Sequence, residues 1–335
     1  MSAAQWFGLL LTLFAGLLSG NCMLPMKFAR RWPWEATWLI FSVVSLVILP
    51  WALAAALVNR VGAVYAALPA EAFLAPLLFG AGWGIAQVLF GISIARLGLA
   101  LGYAIIIGLG ALLGTLVPLV VSHRDVAMTG RGVLIFTGVA IMLTGIAVSA
   151  RAGRMREGAS AATPGSQGYG AALALALLCG VMAPMLNFSF AFGQPIADAA
   201  VRMGTSREAS GYAVWPVALT GGLLPNVGYS LWLLRRNRTW SAFRGGWSPD
   251  LWCGCLMGVF WMGAVAIYGV SSVYLGELGT SAGWALFQIF MIMTANLSGV
   301  LTGEWRGVEP RAMRKLWGGL ALLAVATAVI AAGNR

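Results

Sequence analysis

The chain is divided by its charges into ten stretches that contain no Asp, Glu, Lys, Arg or His: 1–26, 36–59, 72–95, 97–122, 132–150, 158–197, 209–234, 251–276, 278–303 and 316–334. A helix that crosses the hydrocarbon core needs roughly 20 predominantly apolar residues, and every stretch reaches or approaches that length. The pattern therefore predicts ten transmembrane helices. Pro50 is expected to interrupt the second, and Pro225 with Asn226 falls at the middle of the seventh, where proline frees a carbonyl that needs another partner. Pro195 to Met203 reads as a short amphipathic helix outside the bilayer.

Within this pattern one segment occurs twice. GAGWGIAQVLFGISIARLG, Gly80 to Gly98, returns as GVFWMGAVAIYGVSSVYLG, Gly258 to Gly276. A constant offset of 178 places Gly80, Trp83, Phe90, Gly91, Ser93, Leu97 and Gly98 on Gly258, Trp261, Tyr268, Gly269, Ser271, Leu275 and Gly276. Helix 6 echoes helix 1 more faintly: Leu177, Leu178 and Gly180 follow Leu17, Leu18 and Gly20, and Pro184 with Asn187 parallels Pro25 with Asn21 in reversed order. Gly110 and Gly114 in helix 4, and Gly299 and Gly303 in helix 9, share the spacing that lets helix backbones approach closely. Five helices precede the polar stretch Arg151 to Gly168 and five follow it. An odd number per half inverts the second half, so the expected fold class is an all-α membrane protein of ten helices in two inverted five-helix repeats. The repeats are 1–150 and 169–335, joined by a linker at 151–168.

Composition sharpens this picture. Hydrophobic residues make up 60% of the 335 positions and charged residues 9%, against about a quarter charged in soluble domains. The net charge of +11 forms no nucleic-acid patch, because the charges follow the loops. Odd-numbered loops carry 15 of the 21 Lys and Arg residues, from Lys27, Arg30 and Arg31 to Arg314 and Lys315, and even-numbered loops carry 5. Basic loops stay cytoplasmic, so a multi-pass inner-membrane protein with both termini outside is expected. Such loops also touch anionic lipid. Met1 to Gln5 has no Lys or Arg, so the first stretch is expected to remain as a helix rather than act as a cleavable signal.

The same stretches exclude most catalysis, since none offers a charged or imidazole side chain to act as acid or base. Four cysteines in apolar stretches and a single histidine, His123, in a loop give no metal-binding spacing. No metal, cofactor or enzymatic activity is expected. What the stretches do hold is amides and indoles. Trp83 and Gln87 lie four apart on one helix face, and Trp284 and Gln288 repeat that pairing. A sugar offers apolar C–H faces to an indole and hydroxyls that both donate to and accept from amides. Trp83, Gln87, Gln288, Trp261, Trp284, Asn187 and Asn21 are thus the substrate-binding candidates for a neutral polyol. Asn226 and Asn296 read as structural, and each amide has the alternative of bonding a neighbouring helix. The acids, Glu35 and Glu304 among them, border the stretches, where solvated or snorkelling side chains are the ordinary explanation.

The runs PMKFARRWPWEATWLIFSVVSLVILPWAL, Pro25 to Leu53, and LFGAGWGIAQVLFGISIARLGLALGYAIIIGLGALLG, Leu78 to Gly114, with Glu304-Trp305 after helix 9, resemble the L-rhamnose–proton symporter family of the drug/metabolite transporter superfamily. The resemblance implies a central cavity and proton-coupled uptake of a deoxy sugar, for which Glu35 and Glu304 are the candidate proton carriers; a monomer or homodimer is expected. It also implies an acidic residue shortly before the helix 9 tryptophan and a histidine shortly after it, whereas Thr280 to Gln288 reads TSAGWALFQ. Proton-independent uniport, and export of amino acids or small metabolites within the same superfamily, therefore stay open beside symport.

Overall fold

A computed structural model describes residues 2–158, 168–245 and 248–334. The described residues are helical throughout, without strands, and ten helical segments are long and apolar enough to cross a membrane. The spanning helices are α1 (Ala3–Asn21), α2 (Trp34–Leu57), α3 (Glu71–Leu97), α4 (Leu99–Ser122) and α5 (Gly130–Glu157). After the connection come α6 (Tyr169–Met182), α7 (Trp215–Arg236), α8 (Pro249–Leu275), α9 (Ala282–Leu301) and α10 (Pro310–Gly333). The chain is a multi-pass membrane protein.

Local chemistry explains where these helices bend and stop. Pro50 does not end α2. A single π turn at Val44–Ile48 absorbs the missing backbone donor, a usual device at such interruptions. Gly98 alone separates α3 from α4, and Gly276 closes α8, with φ of 83° and 85°. Both occupy backbone space that a β-carbon disfavours. α5 runs to Glu157, beyond the expected boundary at 150, with Arg154 and Arg156 in its last turn complementing the helix dipole. Residues 159–167 of the expected linker lie outside the described residues.

α6 is broken. Its 14 residues reach only about 21 Å, and after Ala183 and Pro184 the path continues as a second piece, Met185–Ala191, then as a short helix, Gln194–Arg202. That short helix is amphipathic as its sequence predicts. Ile196, Ala197, Ala199 and Ala200 are buried while Asp198 and Arg202 are exposed. Gly303 lies past the end of α9 at φ 84°; it caps the helix and does not serve as the second member of a packing pair. Gly110 and Gly114 do pack closely, against Ala183, Pro184 and Trp284 at the α6 break.

The helices pair in a recurrent scheme. α1 lies against α8 and α9, and the two pieces of α6 lie against α3 and α4. α2 packs on α7 and α8, α3 on α7, α4 on α5 and α9, and α10 on α5 and α9. The α3–α7 seam is made of glycine. A β-carbon at Gly80 would collide with the Ala218 carbonyl, and one at Gly84 would stand 2.6 Å from the Gly222 carbonyl. Close backbone approach of this kind drives association where the solvent is itself apolar.

Contacts between loops assign the two ends of the bundle. On one end Asp250, at the start of α8, accepts the backbone N–H groups of Arg30, Arg31 and Trp32 at 2.8–2.9 Å. Glu157 accepts from Ala100 N on the same end. On the other, Gln5 donates to the Asn334 carbonyl, Asn59 to that of Met203, and Glu277 pairs with His123 and Arg131. All odd-numbered loops thus share one end, here the basic end, and both termini with the even-numbered loops share the other, here the terminal end.

Candidate functional site

At mid-span the indoles of Trp83 and Trp261 stack on each other, with centroids 5.1 Å apart and planes 23° apart. The two residues are repeat equivalents. Both are buried. Trp83 fits because Gly222 of α7 leaves its ring room, a β-carbon there falling 2.9 Å from Cε3. Trp261 is backed edge-on by Phe41 of α2, and Phe41, Trp38 and Trp34 continue as an aromatic ladder toward the basic end. Among the described residues neither indole N–H of the central pair has a protein acceptor, whereas Trp38 donates to Asn226 Oδ1 at 3.2 Å.

Gln87 lies one turn from Trp83 toward the basic end and is half-buried, and Gln288 is buried one turn below Trp284. No described residue hydrogen-bonds to either side-chain amide. An amide in a membrane interior that leaves its donors and acceptor unused pays for them unless water or a ligand supplies partners. These two groups are free to recognise something that both donates and accepts. Trp83, Trp261, Trp284 and Phe287 belong to one continuous buried cluster, so the Trp284–Gln288 pairing is carried on the same core as the central stack. The Trp284 indole, however, is spent: it donates to the Gly110 carbonyl at 3.2 Å.

Asn187 is also spent. It is fully buried, donates to the Gly114 carbonyl at 3.0 Å and the Thr280 carbonyl at 2.7 Å, and accepts from Tyr268 Oη at 2.7 Å. Pro118, four residues after Gly114, denies that carbonyl its helical N–H, and the asparagine replaces it. Asn187 therefore knots α4, the second piece of α6, α8 and the α8–α9 connection. Asn21 donates to Leu17 O of its own helix and shares no described contact with the tryptophans. Asn226 and Asn296 likewise bond carbonyls of their own helices.

The two carboxylates singled out from sequence both lie at the basic end but differ in their surroundings. Glu35 is buried and accepts from two neutral donors, Asn237 Nδ2 at 2.9 Å and Thr239 Oγ1 at 2.8 Å. Glu304 sits between cations: Lys27 donates to Oε1, and Arg156 donates to Oε2 at 3.0 Å while its guanidinium covers the Trp305 ring. The Lys27 hydrogen bond, reinforced by the charges of Lys27 and Arg156, holds the Glu304 carboxyl below the usual carboxylate range.

Three features escaped sequence reasoning. Tyr268 matches Phe90 in the repeat, and only the added hydroxyl marks it. The Phe190–Trp215 stack, centroids 4.7 Å apart and nearly parallel, joins helices with no shared motif. Asp250 as a cap for a loop some 220 residues earlier in the chain has no local signal at all.

A family model described as L-rhamnose-proton symport protein matches residues 1–334. Similar proteins include three named L-rhamnose-proton symporter. That of Mannheimia succiniciproducens is 27% identical over 330 residues, covering 96% of each chain. That of Klebsiella pneumoniae strain 342 is 27% identical over 328 residues, 95% of each, and that of Cronobacter sakazakii 27% identical over 342 residues, 99% of each.

Proposed function

The chain belongs to the L-rhamnose-proton symport protein family, and from that premise we propose that it takes up a neutral sugar, L-rhamnose or a related monosaccharide, together with a proton by alternating access. It is a transporter and not an enzyme. The observation that carries the sugar assignment is the stack of Trp83 on Trp261, with partnerless Gln87 one turn from Trp83 and partnerless Gln288 one turn from Trp284 of the same buried cluster. Trp284 and Asn187, whose N–H donors are already engaged, serve this site as framework, and Asn21, bonded within its own helix, has no part in it. The test is uptake of labelled L-rhamnose into proteoliposomes holding the purified chain. Uptake driven by an inward proton gradient is expected, and no saturable uptake or binding of any monosaccharide would overturn the sugar reading.

The architecture we propose is two inverted repeats, 1–150 and 169–335, as in the wider drug/metabolite transporter superfamily. Exchange of each helix with the one five places on turns the α1 contacts with α8 and α9 into the α6 contacts with α3 and α4, α2–α8 into α7–α3, and α4–α5 into α9–α10, all of which occur. The matched φ values at Gly98 and Gly276 fit the same relation. With the basic end cytoplasmic, both termini face outward from the inner membrane.

For the proton we favour Glu35 over Glu304. A carboxylate held by two cations resists protonation, whereas one buried among neutral donors has no counter-charge to surrender. Glu35, in the first proposed repeat, also bridges α2 to Asn237 and Thr239 of the α7–α8 connection in the second. That no Asp, Glu, Lys, Arg or His stands at mid-span favours uniport as the second reading. Sugar uptake without alkalinisation of the medium decides for it.

A further inference from the structure

The repeat supplies an internal control on which end of the sugar path is open. Resting on the transport reading above, we propose that this structure is the form open toward the basic end, and that the Phe190–Trp215 stack seated over Gly269, locked by the Asn187 knot, is the gate that closes the terminal end.

Positions related by the 178-residue offset would have equal environments in a symmetric, doubly closed bundle. They do not. Beyond the tryptophan stack, Gln87, Phe90 and Ile94 of α3 are half-buried and Gly91 is exposed, while Val265, Tyr268, Ser272 and Gly269 of α8 are all buried. The two glycines make the contrast sharpest. A β-carbon at Gly91 would meet nothing within 4 Å, but one at Gly269 would lie 3.2 Å from Trp215 Nε1 and 3.5 Å from Phe190 Cζ. Because the two helices run oppositely, the open segment of α3 faces the basic end and the closed segment of α8 faces the terminal end.

The exposure on α3 is not lipid contact. Leu74, Leu77, Leu78 and Ile85 mark the lipid side, roughly 120–220° around the helix from Trp83, whereas Gln87 and Gly91 are displaced by about 40° and 80°. On that same flank Pro76 and Gly80, nearer the terminal end, are buried. One helix face is therefore covered in its outer half and uncovered in its inner half, as the wall of a vestibule that ends at the tryptophans would be. Tyr268 also stands where Phe90 does in the repeat, and its hydroxyl is held by Asn187, so opening the terminal end requires the knot to release together with the ring stack.

Cysteine reactivity in the full-length chain tests this, with the four native cysteines replaced by Ala and a charged methanethiosulfonate as probe, which needs a hydrated thiolate. Ile94→Cys and Ser272→Cys form the primary pair, because Ser272→Cys is nearly isosteric and keeps the fold; Gly91→Cys and Gly269→Cys form the second. In purified protein without sugar, the α3 cysteines are expected to react about tenfold or more faster than their α8 equivalents. Adding Asn187→Ala is expected to raise the reactivity of Ser272→Cys and lower that of Ile94→Cys. Equal or reversed rates in the first comparison overturn the assignment of the open end. Unchanged rates with Asn187→Ala overturn the lock. The labelling uses no sugar, so it stands or falls apart from the monosaccharide binding assay.

Discussion

Replacement of Asn187 by Ala is the most demanding check on how the bundle is held together. Asn187→Ala removes two donors and one acceptor at a site with no solvent access. The Gly114 carbonyl then has neither its helical donor, which Pro118 lacks, nor a side-chain substitute, and Thr280 O and Tyr268 Oη each lose a bond of 2.7 Å. An orphaned polar group in a protein interior costs about 1–3 kcal/mol. Interhelical pairs in membranes contribute less, averaging about 0.6 and reaching about 1.7 kcal/mol, because the unfolded chain in lipid finds other partners. Three such bonds at the membrane values give a loss of roughly 2–5 kcal/mol. Equilibrium unfolding in mixed micelles of rising SDS fraction, followed by tryptophan fluorescence, measures it. The cycle with Tyr268→Phe isolates one bond, for which a coupling of about 1 kcal/mol is expected. A loss below about 0.5 kcal/mol, with the two substitutions strictly additive, would refute the knot as a stabilising element.

Gln87→Ala and Gln288→Ala each remove an amide that has no protein partner, so sugar binding measured by titration calorimetry is expected to weaken by about 1–3 kcal/mol while unfolding midpoints stay put; the reverse outcome would make both residues packing groups. For Glu304, whose carboxyl is held below its ordinary value of 4.5, the stabilisation from Lys27 and Arg156 is present above the unfolded pKa and lost as the pH falls through the folded one. Thermal midpoints of the parent are therefore expected to drop below about pH 4.5 more steeply than those of Glu304→Gln, and parallel profiles would remove the clasp from the account. Glu35→Gln is expected to leave sugar binding intact and abolish sugar-induced alkalinisation in energy-depleted cells, whereas persistent alkalinisation places the proton elsewhere. With the basic end cytoplasmic, single cysteines beside Arg154 or Arg238 are expected to resist an impermeant reagent in intact cells; strong labelling there inverts the topology.

The ten spans were legible in the sequence because lipid imposes a strict rule: a backbone that cannot bond to water must be helical, and charges must lie outside. Trp83, Gln87 and Gln288 were legible as polar or amphipathic groups that an apolar stretch does not otherwise need. Asn187 shows the limit. Its residue type announces only that hydrogen bonds will be made, and whether to a ligand or to Gly114 and Thr280 depends on a helix break and a proline in another helix. Pro184 reads only as the counterpart of Pro25 and not as the break in α6, and the π turn that carries α2 past Pro50 is not foreseen either, because relief of a missing donor depends on how neighbouring helices accommodate the bulge. Glu35 and Glu304 look alike in sequence, each flanking a span beside a tryptophan, and only the folded positions of Lys27, Arg156, Asn237 and Thr239 separate an ion-paired carboxylate from one among neutral groups.

The stack of Trp83 on Trp261 ties the symmetry to the mechanism. If two equivalent residues of an inverted repeat touch, the contact lies on the axis relating the halves, so a ring plane offered there belongs equally to both. A sugar bound to the stack alone would have the same affinity for the inward-open and outward-open forms, and a ligand without differential affinity shifts no equilibrium. Direction in the cycle must come from groups that break the symmetry. Gln87 is one, since its repeat equivalent is Val265, which offers no hydrogen bond. Gln288 is another, since α4, which the proposed exchange sets on α9, carries no Gln or Asn. In the cycle we propose, an aromatic platform shared by both halves, with amides that lack a repeat counterpart, would let a neutral substrate bind in both forms while gripping one more tightly, and a titrating group such as Glu35 would be coupled to that difference.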